Sequence, residues 1–253
     1  MLKDKINSGK VTLGSWITLG HPAIAEILAK AGFDWLVIDL EHSVISIDVA
    51  GELIRVIDLC GVAPLVRLTS NDPNQIKRLM DAGAHGILVP MVNTAAEAAR
   101  AVAATRYPPR GSRGVGLSRA QGYGAKFQEH LKWQSDGPVV IVQIEHKDAL
   151  DAVEDILNVP GVDGFILGPY DLSCSLGIPG QFERPEYVSA VTRILETGKR
   201  LGRPAGLHIV EPNLQELEQA IHQGYTFIAY SVDFRMLDVS ARQGIARLRE
   251  IKG

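Results

Sequence analysis

The sequence predicts a single-domain α/β protein, a (β/α)₈ TIM barrel extending over residues 1–253. Three observations predict it. The chain has 253 residues, close to the roughly 250 typical of one such barrel. Short runs rich in Val, Ile and Leu alternate with longer amphipathic stretches from one end to the other, the rhythm of parallel strands joined by right-handed helical crossovers. Eight units of each kind are present, which favours closure over an open sheet, and no GxGxxG follows the first strand as a dinucleotide fold would require.

The first strand-like run, Leu13–Thr18, precedes a helical pattern at Ala23–Ala31. Trp35–Leu40 precedes Val49–Leu59, Ala63–Leu68 precedes Pro73–Ala82, and Gly86–Pro90 precedes Thr94–Thr105. In the second half, Val139–Glu145 precedes Asp148–Leu157, and Gly164–Gly168 precedes Pro185–Leu201. Pro204–Ile209 then precedes Leu214–Gln223, and Thr226–Ser231 precedes Arg235–Ile251. Most of the strand runs are continuously apolar, as strands covered on both faces are. Three helical patterns run into Gly32, Gly83 and Gly224 shortly before a strand, where glycine takes a left-handed cap without steric cost. Asp72-Pro73 and Glu211-Pro212 mark helix starts with Pro at or near the first turn. One insertion, Arg106–Gly124 (RYPPRGSRGVGLSRAQGYG), breaks the rhythm, and Ala125–Gln134 adds a short helix after it. A loop of that size serves the active site or a subunit contact, or is a surface excursion.

Bulk composition excludes several function classes. Apolar residues are 46% of the chain and charged residues 22%, ample for a large core. A net charge of −3 offers no basic field to nucleic acid or to an anionic membrane. No run approaches the ~18 apolar residues of a membrane helix, and the N-terminus lacks the apolar core of a signal peptide. Cys60 and Cys174 make neither a disulfide framework nor a zinc site, and fit a reducing cytoplasm. The expectation is a cytoplasmic protein.

On a barrel of this kind, chemistry sits at the carboxyl ends of the strands. Strand two ends in Asp39-Leu-Glu-His42, strand three at Arg67, and strand five in Gln143-Ile-Glu145. After strand six, GFILGPYD brings Asp171 to the same rim. Glu145 and Asp171 could share one hard divalent cation such as Mg²⁺ or Mn²⁺, completed by water and substrate oxygens. Local roles suit them as well: Glu145 beside Lys147, Asp171 capping the segment after Pro169. Arg67 either holds an anionic oxygen or makes a structural ion pair with Asp39 or Glu41. His42 lies three residues after Asp39, an arrangement that suits a general base and also an ordinary loop histidine. Gln143 projects to the same side of its strand as Glu145, toward a metal water, the substrate or a core contact. Strands six and seven (GFILG, PAGLHI) contain no lysine, which disfavours Schiff-base chemistry.

Taken in order, LGSWITLGHP, WLVIDLEHS, PLVRLTSND, GAHGILVPMVNTAAEA, YPPRGSRGVG, VQIEHKDAL, GFILGPYDLSCSLGIPG and IAYSVDFRML resemble the HpcH/HpaI aldolase family over almost the whole chain. That resemblance implies a class II, metal-dependent pyruvate aldolase, which cleaves a 4-hydroxy-2-keto acid to pyruvate and an aldehyde through an enolate. It implies that Glu145 and Asp171 hold a divalent ion (Mg²⁺, Mn²⁺ or Co²⁺) chelated by pyruvate. Arg67 would stabilise the keto oxygen, and His42, oriented by Asp39, would be the acid–base residue, working through water. Gln143 would support the metal or substrate shell. Two positions depart from the family pattern. Tyr170 stands in GPYD where a smaller residue is usual, so it would border the substrate pocket. His146 stands where Thr or Ser is frequent. The resemblance also implies a homo-oligomer, a hexamer of dimers that exchange the last helix. The stripe Met236, Val239, Ile245 and Leu248 suits that exchange or packing on the chain's own barrel. The same enolate logic would serve a CoA-ester lyase or an oxaloacetate decarboxylase, and a catalytically silent binding barrel is the alternative of a different class. The aldehyde is not legible.

Overall fold

Each apolar run forms a strand, and the strands close in chain order. A computed structural model describes residues 1–252; Gly253, the last residue of the expected domain, lies outside the described residues. The strands are β1 (Thr12–Ile17), β2 (Trp35–Asp39), β3 (Ala63–Arg67) and β4 (Gly86–Val89), then β5 (Val139–Ile144), β6 (Gly164–Leu167), β7 (Ala205–Ile209) and β8 (Phe227–Val232). Every neighbouring pair is parallel, and β8 returns to β1 to complete the barrel.

The helices are α1 (Leu2–Asn7), α2 (Pro22–Lys30), α3 (Ile47–Leu59), α4 (Pro73–Ala82), α5 (Ala95–Thr105) and α6 (Phe127–Asp136). After them come α7 (Ala149–Asn158), α8 (Pro169–Ser175), α9 (Pro185–Arg200), α10 (Leu214–His222) and α11 (Asp233–Lys252). Successive strand residues point to opposite faces, so two cores result. Ile38, Val66, Ile87, Val142, Phe165 and Ile228 pack outward against the helices. Trp35, Val37, Leu65, Leu88, Ile141, Ile166 and Phe227 fill the barrel, with the Trp35 and Phe227 rings stacked 4.1 Å apart.

Helix α1 was not anticipated. It plugs the amino-terminal end of the barrel, where Ile6 and Leu2 join the inner core. Lys3 is buried there and anchors the plug, with Nζ 3.1 Å from Asp163 and 3.3 Å from Asp136. The glycine caps hold: φ is +99° at Gly32, +103° at Gly83 and +92° at Gly224. Asp72 caps α4, accepting from the Asn74 N–H at 3.0 Å. Glu211-Pro212 opens α10: the cap is Asn213, which accepts from the Gln215 N–H at 2.9 Å, and the proline directly precedes it.

The Arg106–Gly124 insertion lies away from the carboxyl-terminal mouth. A 3₁₀ turn at Arg119–Gln121 brings Arg119 onto the Ala82 carbonyl at 3.1 Å and onto Asp58 at 2.6 Å. Both belong to helix ends that lead into the amino ends of β3 and β4. Within the insertion, the buried Arg113 guanidinium lies 4.2 Å above the Tyr107 ring and donates to His130 Nε2 at 3.1 Å. The helix expected at Ala125–Gln134 is α6. At the other end of the chain, Met236 packs on the core, but Ala241–Glu250 of α11 is exposed throughout. Ile245 is 53% exposed and Leu248 45%, so the second half of the apolar stripe does not pack on the chain's own barrel. Among the described residues, no helix is long and apolar enough to cross a membrane.

Candidate active site

Toward the carboxyl ends of the strands, inward positions change from apolar to polar. On β2 the inward series runs Trp35, Val37, Asp39; on β3, Ala63, Leu65, Arg67; on β5, Val139, Ile141, Gln143. On β7, Leu207 and Ile209 pack outward, which turns His208 inward. Glu145 directly follows β5, and Asp171 stands in the first turn of α8, where the helix dipole favours a carboxylate.

Arg67 and Asp39 occupy matched positions on adjacent strands and form a two-pronged pair: Nε to Oδ1 at 2.8 Å and Nη2 to Oδ2 at 2.7 Å. Nη1 lies 3.3 Å from Glu41 Oε2, and the guanidinium carbon sits 4.3 Å above the Trp16 ring. The arrangement corrects one expectation. Asp39 meets His42 through the backbone, accepting its N–H at 3.3 Å, and does not meet the imidazole. A guanidinium fork matches a carboxylate better than a single ring N–H does, and it claims both oxygens. The carboxylate near the imidazole is that of Glu41, 4.0 Å from Nε2. The His42 side chain is 66% exposed on the rim.

Glu145 is buried, 2% exposed, and both of its oxygens are held. The Met91 N–H donates to Oε1 at 2.6 Å, and Gln143 Nε2 donates to Oε2. Met91 adopts φ +53°, a left-handed conformation unusual for such a side chain, and thereby turns its N–H to the carboxylate. Lys147 takes no part; its backbone N–H donates to Ser175 Oγ at 3.0 Å. His146 also turns aside: its Nδ1 accepts the Asp148 N–H at 3.2 Å, at the start of α7. Tyr170 is exposed, its ring edge-on to Phe182 at 5.2 Å.

The charge balance of the mouth is uneven. Burial pushes the Glu41 carboxyl up to about 7; Arg67 opposes the rise, while Glu145, Asp39 and Asp171 add to it. Burial likewise raises Glu145, against the hydrogen bonds from Gln143 and Met91. Four carboxyl groups thus share the mouth with one guanidinium, and the buried Glu41 Oε2, though 3.3 Å from Arg67 Nη1, receives no hydrogen bond among the described residues. Among those residues, no three His, Cys, Asp or Glu side chains form a ready-made metal cage. An acidic site supplying two carboxylates, with remaining positions left to water and substrate, fits a Mg²⁺-like ion, which keeps much of its water.

The sequence reading missed five contributors: Trp16, Gly168, Met91, His208 and the role of Glu41 beside His42. Strand parity alone marks Trp16 and His208, since each is an inward residue at a carboxyl end. Gly168 is marked only in three dimensions, because a Cβ there would fall 2.5 Å from Glu145 Oε2.

Fold and site together define a (β/α)₈-barrel enzyme with a carboxylate-rich mouth suited to a divalent cation. The chain belongs to the HpcH/HpaI aldolase/citrate lyase family, whose model matches residues 12–238. It is 38% identical to the 4-hydroxy-2-oxo-heptane-1,7-dioate aldolase of Salmonella typhimurium, over 97% of this chain and 93% of that protein. Among solved structures it resembles a HpcH/HpaI aldolase/citrate lyase family protein from Burkholderia cenocepacia (TM-score 0.92, 34% identity, 98% of both chains covered). It also resembles a HpcH/HpaI aldolase from Desulfitobacterium hafniense (TM-score 0.89, 31% identity, 99% of this chain and 97% of that one).

Proposed function

We propose that the protein is a class II aldolase that cleaves a 4-hydroxy-2-keto acid to pyruvate and an aldehyde, with a divalent metal ion as cofactor. The uneven charge of the mouth carries this reading: Glu41 lies close enough to Asp39, Glu145, Asp171 and Arg67 to feel each of their charges, so four carboxyl groups share the mouth with one guanidinium. Glu145 and Asp171 are the residues to hold Mg²⁺ or Mn²⁺, with Co²⁺ also suited to the donor set. When bound, such an ion supplies Lewis-acid stabilisation of the negative charge that develops on the keto oxygen.

The chain's own side chains supply the rest. Gln143 and Met91 fix Glu145 by one hydrogen bond to each oxygen. Asp39 fixes Arg67 through Nε and Nη2, and Nη1, 3.3 Å from Glu41 Oε2, is the nitrogen to be shared with the enolate oxygen. His42, exposed beside Glu41, takes the proton of the C4 hydroxyl as the carbon–carbon bond breaks. Returned through water, that proton reaches the methyl carbon of pyruvate. Tyr170 borders the substrate pocket from α8. The exposed half of α11 supports a homo-oligomer, a hexamer of dimers exchanging that helix. Free Cys60 and Cys174 fit work in a reducing cytoplasm.

The test is solvent deuterium exchange into the methyl group of pyruvate, followed by NMR with and without EDTA. Exchange should vanish with EDTA and return with Mg²⁺ or Mn²⁺. Glu145→Gln and Asp171→Asn should each lose metal-dependent exchange while keeping the circular dichroism of the folded barrel. Exchange that persists in EDTA sinks the metal assignment, and a wild-type protein with no exchange sinks the aldolase reading.

A further inference from the structure

The Arg106–Gly124 insertion takes no part in the chemistry of the mouth, yet it builds a cavity. Its Arg119, Gly122 and Tyr123, with Lys126, His130 and Trp133 of the α6 segment, form one wall of a space of about 550 Å³. The facing wall is Arg55, Asp58 and Leu59 at the end of α3, and Gly83–His85 before β4. The cavity therefore lies by the amino ends of β3 and β4, at the opposite end of the barrel from Arg67 and Glu145. Its volume is that of sites which take small molecules, about 300–1,000 Å³.

Its charge is lopsided in the opposite sense to that of the mouth. Arg55, Arg119 and Lys126 line it against a single carboxylate, Asp58. Asp58 is already committed, with His85 Nε2 3.1 Å from Oδ1 and Arg119 Nη2 2.6 Å from Oδ2. Arg119 is fixed between Asp58 and the Ala82 carbonyl. Arg55 meets Glu52 at 3.2 Å on the same exposed helix face, a contact worth little in water. Lys126 is exposed directly before α6. Arg55 and Lys126 are therefore free to turn to a ligand. The lining is aromatic as well. Trp133 is half-buried, its ring 5.4 Å from His130 and 6.0 Å from His85, and Tyr123 is 75% exposed. Cations beside open aromatic faces suit a ligand that is both flat and negatively charged: its ring stacks while Arg and Lys meet its anionic group.

We propose that this cavity binds a small aromatic anion, a flat ring carrying a carboxylate or phosphate group, at a site separate from the barrel mouth. Inorganic phosphate would answer the positive charge and leave the Trp133 face bare. A neutral ring would cover that face and leave the charge unmet. Only the combination uses both features of the lining. The insertion thereby acquires a role that is independent of the aldolase reading.

The experiment is isothermal titration of the whole protein with phthalate, phenyl phosphate and inorganic phosphate. The ring anions should bind at least about tenfold more tightly than inorganic phosphate, and the tighter of the two identifies the anionic group. Lys126→Glu and Arg55→Glu each reverse an exposed charge and leave the core untouched. Each should weaken both ring anions about tenfold or more, the worth of one charge-assisted hydrogen bond. Trp133→Leu should bring the ring anions down to the level of inorganic phosphate; the two charge variants carry the test if that protein folds poorly. Affinities within about twofold of wild type in both charge variants place the anion elsewhere and overturn the site. So does the absence of binding by either ring anion at about 1 mM, or inorganic phosphate that binds as tightly as both.

Discussion

At the scale of single residues, the site depends on groups that hold the reactive ones. Gly168 is the clearest case. A Cβ there would lie 2.5 Å from Glu145 Oε2 and 2.7 Å from Glu145 Cβ, so Gly168→Ala must displace the Glu145 carboxylate. Metal affinity should fall about 10–100-fold, the usual cost of disturbing a supporting shell. Titrating Mn²⁺ against pyruvate exchange measures it, and an unchanged midpoint would show that Glu145 is not a ligand. Residue-scale reasoning from sequence places the polar side chains at one rim and leaves the partner of Asp39 open. Asp39, Arg67, Gln143 and Glu145 all stand there, as strand-end logic requires. Chain spacing offers Asp39 to His42 and strand ends offer it to Arg67; the structure takes the second, across the ladder, a choice that only the register decides. His130 provides a residue-scale pH prediction. Burial, then the Arg113 charge, lowers it to about 4, and Arg113 donates to its Nε2. At pH 7.5 folded and unfolded states both hold it neutral. Between the unfolded value near 6.5 and about 4, only the unfolded state binds the proton, so stability falls as pH falls. His130→Gln should therefore lose less Tm than wild type between pH 7.5 and 5. Equal losses would place the titration elsewhere.

At the scale of elements, legibility tracked length. The long helices and all eight strands were readable because each carries enough apolar residues to show a period. Helix α1 has only two apolar residues to bury, Leu2 and Ile6, and α8 has seven residues, too few to display any repeat. Both bear on the barrel, since α1 closes its bottom and α8 presents Asp171 at its mouth. Tertiary contacts also hold the mouth closed where β8 meets β1. Asp233, 3% exposed at the start of α11, accepts the N–H groups of Thr18 and Leu19 at 2.9 and 2.7 Å and the Thr18 hydroxyl at 2.7 Å. Asp233→Ala would orphan these donors between two strand ends. It should cost about 2–4 kcal/mol, read as a lower urea midpoint at unchanged slope. A midpoint equal to wild type would mean that water replaces the carboxylate without loss.

At the scale of the whole molecule, the barrel is complete and the last helix is not. Helix α11 leaves the barrel after Val239, and its Ile245, Leu248 and Ile251 are 53%, 45% and 69% exposed. They recur at helical spacing on one side of an element that is exposed from Ser240 to Ile251. Covering an exposed aliphatic side chain is worth about 1.5–3 kcal/mol, so three on one helix are a strong drive to find a surface. Under the proposed exchange, the helix that leaves its own barrel after Val239 is received by a second copy, and exchange of identical helices satisfies both copies at once. Ending the chain at Ser240 removes the three side chains and leaves the barrel core and Asp233 untouched. Light scattering should then show the assembly reduced to a smaller species, with the barrel's circular dichroism retained. A wild-type protein that is already monomeric, or a truncated one with the same subunit number as wild type, would show that α11 does not build the oligomer.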